Sequence, residues 1–250
     1  MRDALREGLK KWKALPEVET KAGALRVPEH GPVDGTYYRV PPQNSLILNV
    51  YTRALDHVTD NQFADAVCKI GAGDEAARDH LWLTEPEWKS LIPPNPKISQ
   101  KFPMPEKIAE RILRFHFVDN TRGEPPFWRK NDIRSRDLNL IVEEVKQSSV
   151  RLRIQGTSLL STQEDATKSE RGFDASLLGY IEYDSTKTAI TRFSVVAVGD
   201  HWGTGAHTQR GTRLGRTPLG IAFELTDGKA PADRVAPQGA RELASYFGRN

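Results

Sequence analysis

Strict alternation of apolar and polar residues in the second half of this 250-residue chain limits its fold more than any other feature. In VRLRI, Val150, Leu152 and Ile154 alternate with Arg151 and Arg153. In LGIAFEL, Leu219, Ile221, Phe223 and Leu225 alternate with Gly220, Ala222 and Glu224. Successive side chains of a strand point to opposite faces, so a period of two predicts strands with one buried and one solvated face. That is the habit of antiparallel sheets. LNLIVEEV, SLLGYIEY and ITRFSVVAV carry the same pattern, and KQSS and DSTKT suit hairpin turns between them. STQEDATKSERGFD, Ser161 to Asp174, is a long polar connector of the kind that binding loops occupy. The pattern predicts an α+β, β-rich chain: an antiparallel meander forming a curved sheet or barrel, with a few short covering helices.

The first half is mixed. Leu5, Leu9 and Trp12 lie on one narrow face of a predicted amphipathic helix, with an Arg- and Lys-rich face opposite. The simplest reading is a short surface helix docked by Trp12; an anionic membrane is the other partner such a face suits. TYYRV and SLILNVYTRAL read as strands joined by the turn PPQN. TEPEW places Glu87 three residues after Thr84, a capping box that opens a short helix which PPNP must end. A second helix begins near Pro105 and runs into RFHFV, read as a strand with Phe115 and Phe117 on one face and His116 on the other. LIPPNPK and GEPPFW are flanked by aromatic residues, which argues for packing onto a core rather than for linkers. The expected organisation is an N-terminal helix and extension over 1–30, one β-rich domain over 31–227 and a C-terminal tail over 228–250.

Composition narrows the function classes. Lys and Arg total 36 against 33 for Asp and Glu, a formal charge of +3 without a clustered basic face, so no nucleic-acid partner is predicted. The single cysteine, Cys68, excludes an intramolecular disulfide and multi-cysteine zinc sites. Its apolar neighbours in FADAVCKI suggest a buried, inert thiol. No segment approaches the ~20 apolar residues of a membrane helix. MRDALREGLKKWKAL is charged throughout and is no signal peptide, though a leader removed from a natural precursor stays compatible with export.

Three stretches carry candidate chemistry. GDHWGTGAH holds Asp200, His201, Trp202 and His207 at the end of an apolar run. Asp200, His201 and His207 are the candidate ligands for a divalent metal, with a further ligand from His116, Asp119 or Glu224. Six residues is not a recognised metal spacing, so the alternative is a structural turn at the sheet rim. TQRGTRLGR sets Arg210, Arg213 and Arg216 three apart among glycines, where guanidinium forks could hold phosphate, sulfate or carboxylate. It is not a nucleotide-binding loop, because the Lys-Ser/Thr pair is absent. DNTRGEPPFW gathers Asp119, Arg122, Glu124 and Trp128, which admit a glycosidase-like carboxylate pair with a sugar platform, or simply a packed turn. Glu224 reads as a surface carboxylate unless the sheet closes and its face becomes interior. No G-x-S-x-G elbow is present.

The phrases NSLILNVYTRAL, FVDNTRGEPPFW, LLGYIEYD, VAVGDHWG and TPLGIAFEL resemble an uncharacterised, apparently exported group of bacterial proteins of planctomycete type. The resemblance spans roughly Pro28 to Gly239 and implies a single bacterial unit, periplasmic or secreted; it assigns no residue a role. The leading expectation is a non-enzymatic ligand-binding or structural protein of the bacterial envelope, without a required cofactor. Its partner would be a small anion, a carbohydrate or another protein. The alternatives are a metal-dependent hydrolase centred on GDHWGTGAH and a small-molecule or lipid carrier using a barrel interior.

Overall fold

The alternating segments become strands whose apolar faces coincide. The computed structural model describes residues 2–21, 40–59, 62–65, 76–205, 207–208 and 215–248. Cys68, Arg210, Arg213 and Thr36 to Arg39 of TYYRV lie outside them. Two units separate along the chain, Met1–Tyr38 and Arg39–Asn250. The first holds α1 (Arg2–Lys13) and α2 (Glu17–Thr20). The second holds β1 (Leu46–Thr59), β2 (Gln62–Asp65), β3 (Ala77–Leu83), α3 (Glu85–Lys89), β4 (Lys101–Pro103) and α4 (Glu106–Arg111). There follow β5 (Gly123–Glu124), β6 (Ile133–Val145), β7 (Ser149–Ser161), β8 (Gly172–Asp184) and β9 (Ala189–Trp202). The chain continues through β10 (His207–Thr208) and β11 (Thr217–Leu225) to α5 (Leu243–Tyr246).

The main sheet runs β4-β6-β7-β8-β9-β11-β1, and β3 and β2 pair successive parts of the far edge of β1. Every pairing is antiparallel. The sheet does not close, so the architecture is the open alternative to a barrel. Its register aligns Leu152 with Ile181, and Ile221 with Ala197 on one side and Thr52 on the other. Leu152, Ile181, Ala197, Ile221 and Phe223 are all buried, while Glu224 on the outer face is exposed. Arg151 and Arg153 lie half-exposed along that outer face beside Glu143.

The inner face of the sheet is filled by α4 and the turn that continues it. RFHFV is not a strand. Ile112–His116 is a single π-helical turn, closed by the Phe117 N–H donating to the Ile112 carbonyl at 3.1 Å. The reason is burial: Phe115, His116, Phe117 and Val118 are all inside, so there is no solvated face for an alternating strand to present. No Gly or Pro stops α4, and the helix widens instead of ending. Trp128 then satisfies groups that the wide turn leaves over. Its indole N–H donates to Phe117 O at 2.7 Å, and its backbone N–H to Arg114 O at 3.1 Å.

The stretch after residue 227, expected as a tail, is part of the core. Tyr246 is buried within the hydrophobic cluster, and its phenol accepts the Trp82 N–H of edge strand β3 at 3.3 Å. Arg111 donates to the Trp82 carbonyl at 2.9 Å and to Tyr246 O at 2.6 Å, and it pairs with both oxygens of Glu87. The C-terminal segment thus covers an edge that would otherwise expose unpaired backbone groups. The capping geometry of TEPEW forms as expected, the Thr84 N–H donating to Glu87 at 2.8 Å.

Replacing Phe223 with Ala should cost about 3–5 kcal/mol, as for a buried aromatic. Replacing Arg151 with Ala should cost less than ~1 kcal/mol. Urea denaturation of both variants checks the assignment of faces, and equal losses would reverse it.

Candidate functional site

Two of the singled-out stretches, far apart in sequence, meet at one end of the sheet. β10 pairs with β5 so that His207 stands opposite Glu124. Arg122 donates to the Gly203 carbonyl at 3.1 Å. Gly203 takes a φ of +82°, and a Cβ there would stand 2.0 Å from Glu170 O, so the chain can leave β9 this way only at glycine. GDHWGTGAH and DNTRGEPPFW are therefore one structural element, and the long connector between β7 and β8 joins them. Trp202 donates its indole N–H to Ser169 O at 2.9 Å and lies against Gly172, where a Cβ would come within 2.0 Å of the ring.

Below this rim is a cluster of charge with little access to water. Asp119, Arg122, Arg171 and His201 are each at least nine-tenths buried. Asp119 accepts the Thr121 N–H at 3.0 Å, the Thr121 hydroxyl at 2.6 Å and Arg122 Nε at 2.6 Å. Burial pushes the Asp119 carboxyl up, but His201, Arg122 and Thr121 together hold it below its ordinary value. Arg171 is placed differently. Its guanidinium lies over the Trp128 ring at 3.8 Å, and its Nη2 is buried without a hydrogen-bond partner. Desolvation pushes its pKa down to about 10, against the through-space pull of Asp132 and Asp119. A second guanidinium, that of the exposed Arg216, lies over the Trp202 ring at 4.0 Å.

Outside the cluster a cleft of about 430 Å³ is lined by Arg114, Glu124, Pro125, Pro126, Phe127, Trp128, Arg129, His207 and Glu242. Arg114 is engaged there by Trp128 O, Glu110 and Ser245, and Glu124 is paired with Arg241.

The individual candidates fare as follows. His201 is on the buried face of β9; Asp200, its neighbour along the strand, points to the other face. His207 is exposed on β10, across from Glu124. Among the described residues no group of three His, Cys, Asp or Glu side chains is gathered as a metal would need. Asp119 and Glu124 do not act as a pair, since one is buried on Arg122 and the other is exposed on Arg241. Trp128 is buried under Arg171 and cannot serve as a sugar platform. Trp202 and Arg216 are brought together, whereas Arg210 and Arg213 lie outside the described residues.

Sequence reasoning missed Arg171, read only as part of a polar loop, and a second buried relay. His116 Nδ1 stands 3.4 Å from Asp79 Oδ2, and its Nε2 stands 3.0 Å from the Tyr246 hydroxyl. Burial raises the Asp79 carboxyl, yet His116 and the N–H groups of Gln238 and His80 hold it below its usual value. Burial pushes the Tyr246 phenol far upward, away from any acid–base role near neutrality. The relay therefore fastens the C-terminal segment to β3. Tyr246 is legible only once the fold puts it against β3, 164 residues away from Trp82.

The chain matches no protein-family model, no curated protein and no solved structure.

The depressed carboxyls set a pH dependence. Asp79, Glu87 and Asp119 all have folded pKa values below their unfolded ones. Their contribution is complete above the unfolded carboxylate range of about 4 and is lost as pH falls through the folded values. Thermal melts should fall steeply below pH ~4. Asp119→Asn should lose about 3–5 kcal/mol at neutral pH, because Arg122 is left buried without its partner, and should show a shallower acid limb. An unchanged acid limb would remove Asp119 from the account.

Proposed function

We propose that this chain is a non-enzymatic binding protein whose ligand is a small anion, held at the rim where the segments around Asp119, Arg171 and Trp202 converge. The observation that carries the reading is Arg171. A buried guanidinium without a hydrogen-bonding acceptor is costly, and the natural remedy is an anion that accepts from it. The neighbourhood leaves positive charge over: the Asp119 carboxylate is already occupied by Arg122 and Thr121, and Arg171 is reached by Asp132 and Asp119 only through space. The two tryptophans hold Arg171 and Arg216 by their ring faces, which leaves the planar edge of each guanidinium, the part that binds phosphate, sulfate or carboxylate in two-point fashion, for a ligand. The buried Asp119 carboxylate and the Trp202 indole are engaged by structural partners, which favours binding over turnover. The setting in the bacterial envelope is carried by the resemblance of the sequence phrases.

Phosphate should raise the melting temperature well beyond sodium chloride of equal ionic strength. At a phosphate concentration a hundredfold above Kd the gain should be roughly 5–10 °C for a chain of this size. Arg171→Gln should abolish the gain. Arg216→Ala, at an exposed position that leaves the core intact, should reduce it. An equal rise with chloride, or a full rise in both variants, would overturn the reading.

A further inference from the structure

The helix α1 carries an exposed apolar stripe. Leu5, Leu9 and Trp12 are 68%, 53% and 46% exposed. At about 100° per residue these three fall within an arc of roughly 60°. Just beyond α1, Leu15 and Val18 are exposed as well.

Basic charge borders that stripe on one side. RDALREGLKKWK carries five basic residues and two acidic ones. On the same helical spacing Arg6 and Lys13 flank the stripe on one side, while Lys10 and Lys11 share the opposite face with Asp3 and Glu7. The Arg6–Asp3 contact, at 3.4 Å, is exposed on both sides and is too weak to fix either charge. Basic side chains at the border of a narrow apolar stripe can extend their charged ends along an anionic surface while their methylene stems follow the apolar side chains inward. Trp12 at the end of the stripe is the residue type that settles at the headgroup level of a bilayer.

We propose that α1 is an interfacial anchor that lays its Leu5–Leu9–Trp12 face onto an anionic lipid surface. A stable protein partner would need about 800 Å² from each side, which three side chains on a twelve-residue helix do not supply. A bilayer has no such requirement: shallow burial of the stripe, added to attraction of the basic border for anionic headgroups, gives weak and reversible association. This inference is independent of the anion site on the sheet.

The test is co-sedimentation of the full chain with phosphatidylglycerol-containing vesicles and with pure phosphatidylcholine vesicles. The chain should bind the anionic vesicles, and the binding should weaken at high salt as surface charge is screened. Leu9→Glu should reduce it at least tenfold, and Arg6→Glu with Lys13→Glu should remove the preference for anionic lipid. All three positions are exposed, so the melting temperature of each variant should stay at the wild-type value. Failure of the wild type to sediment with anionic vesicles would overturn the proposal. Binding that Leu9→Glu leaves intact would do so too, since it would be a purely electrostatic contact of the kind that any polyanion makes.

Discussion

A guanidinium taken out of water sets the terms for the rest of this structure. Arg171 lies at the foot of β8, stacked on Trp128, with Nη2 buried. A cation in that position needs either charge nearby or a polarisable surface, and it has both. The Trp128 ring supplies the surface, and Asp119 and Asp132 supply charge at a distance. Trp128 can sit there because the π-helical turn after α4 leaves the Arg114 and Phe117 carbonyls for its two N–H groups. The turn itself exists because its residues other than Arg114 are buried. Position of the charge and path of the chain are thus one problem with one solution.

Asp119 completes it from the other direction. Its two oxygens are occupied by Thr121 and Arg122, and Arg122 reaches on to Gly203. The segment after the helical turn is tied in this way to the end of β9, and β5 and β10 extend the tie to His207 and Glu124. At the β3 edge Arg111, His116 and Tyr246 do comparable work. The core is continuous between the two, because Phe117 contacts both Phe173 and Phe223, and Phe173 contacts His201. In each place a buried polar group is met by partners from distant parts of the chain, which specifies a single arrangement of strand ends and loops.

The sheet was readable from sequence because its strands have two unlike faces. Leu152 and Phe223 are buried, and Arg151 and Glu224 are not, as alternation requires. RFHFV misled because its short alternation describes a segment with no solvated face, where a pattern of polarity carries no information about direction. The C-terminal segment was illegible for another reason: its turns at Pro231–Arg234 and Gln238–Glu242 are too short for any period, and Tyr246 works through one long-range contact. At the rim, Asp200, His201, Trp202 and Arg216 were singled out for their residue types, but only the strand geometry separates Asp200 from His201 and brings Arg216 onto Trp202. Arg171 gave no local signal, since a single Arg in a polar loop looks solvated until the fold encloses it.

The binding reading rests on whether that enclosed guanidinium meets an anion. Crystals soaked in selenate and read by anomalous scattering address this atom directly. The account predicts a selenium peak at the rim, with a selenate oxygen about 2.7–2.9 Å from Arg171 Nη2, the distance of a charge-assisted hydrogen bond. Selenate bound only at exposed lysines and arginines, with Arg171 lying on Trp128 and no anion beside it, would contradict it.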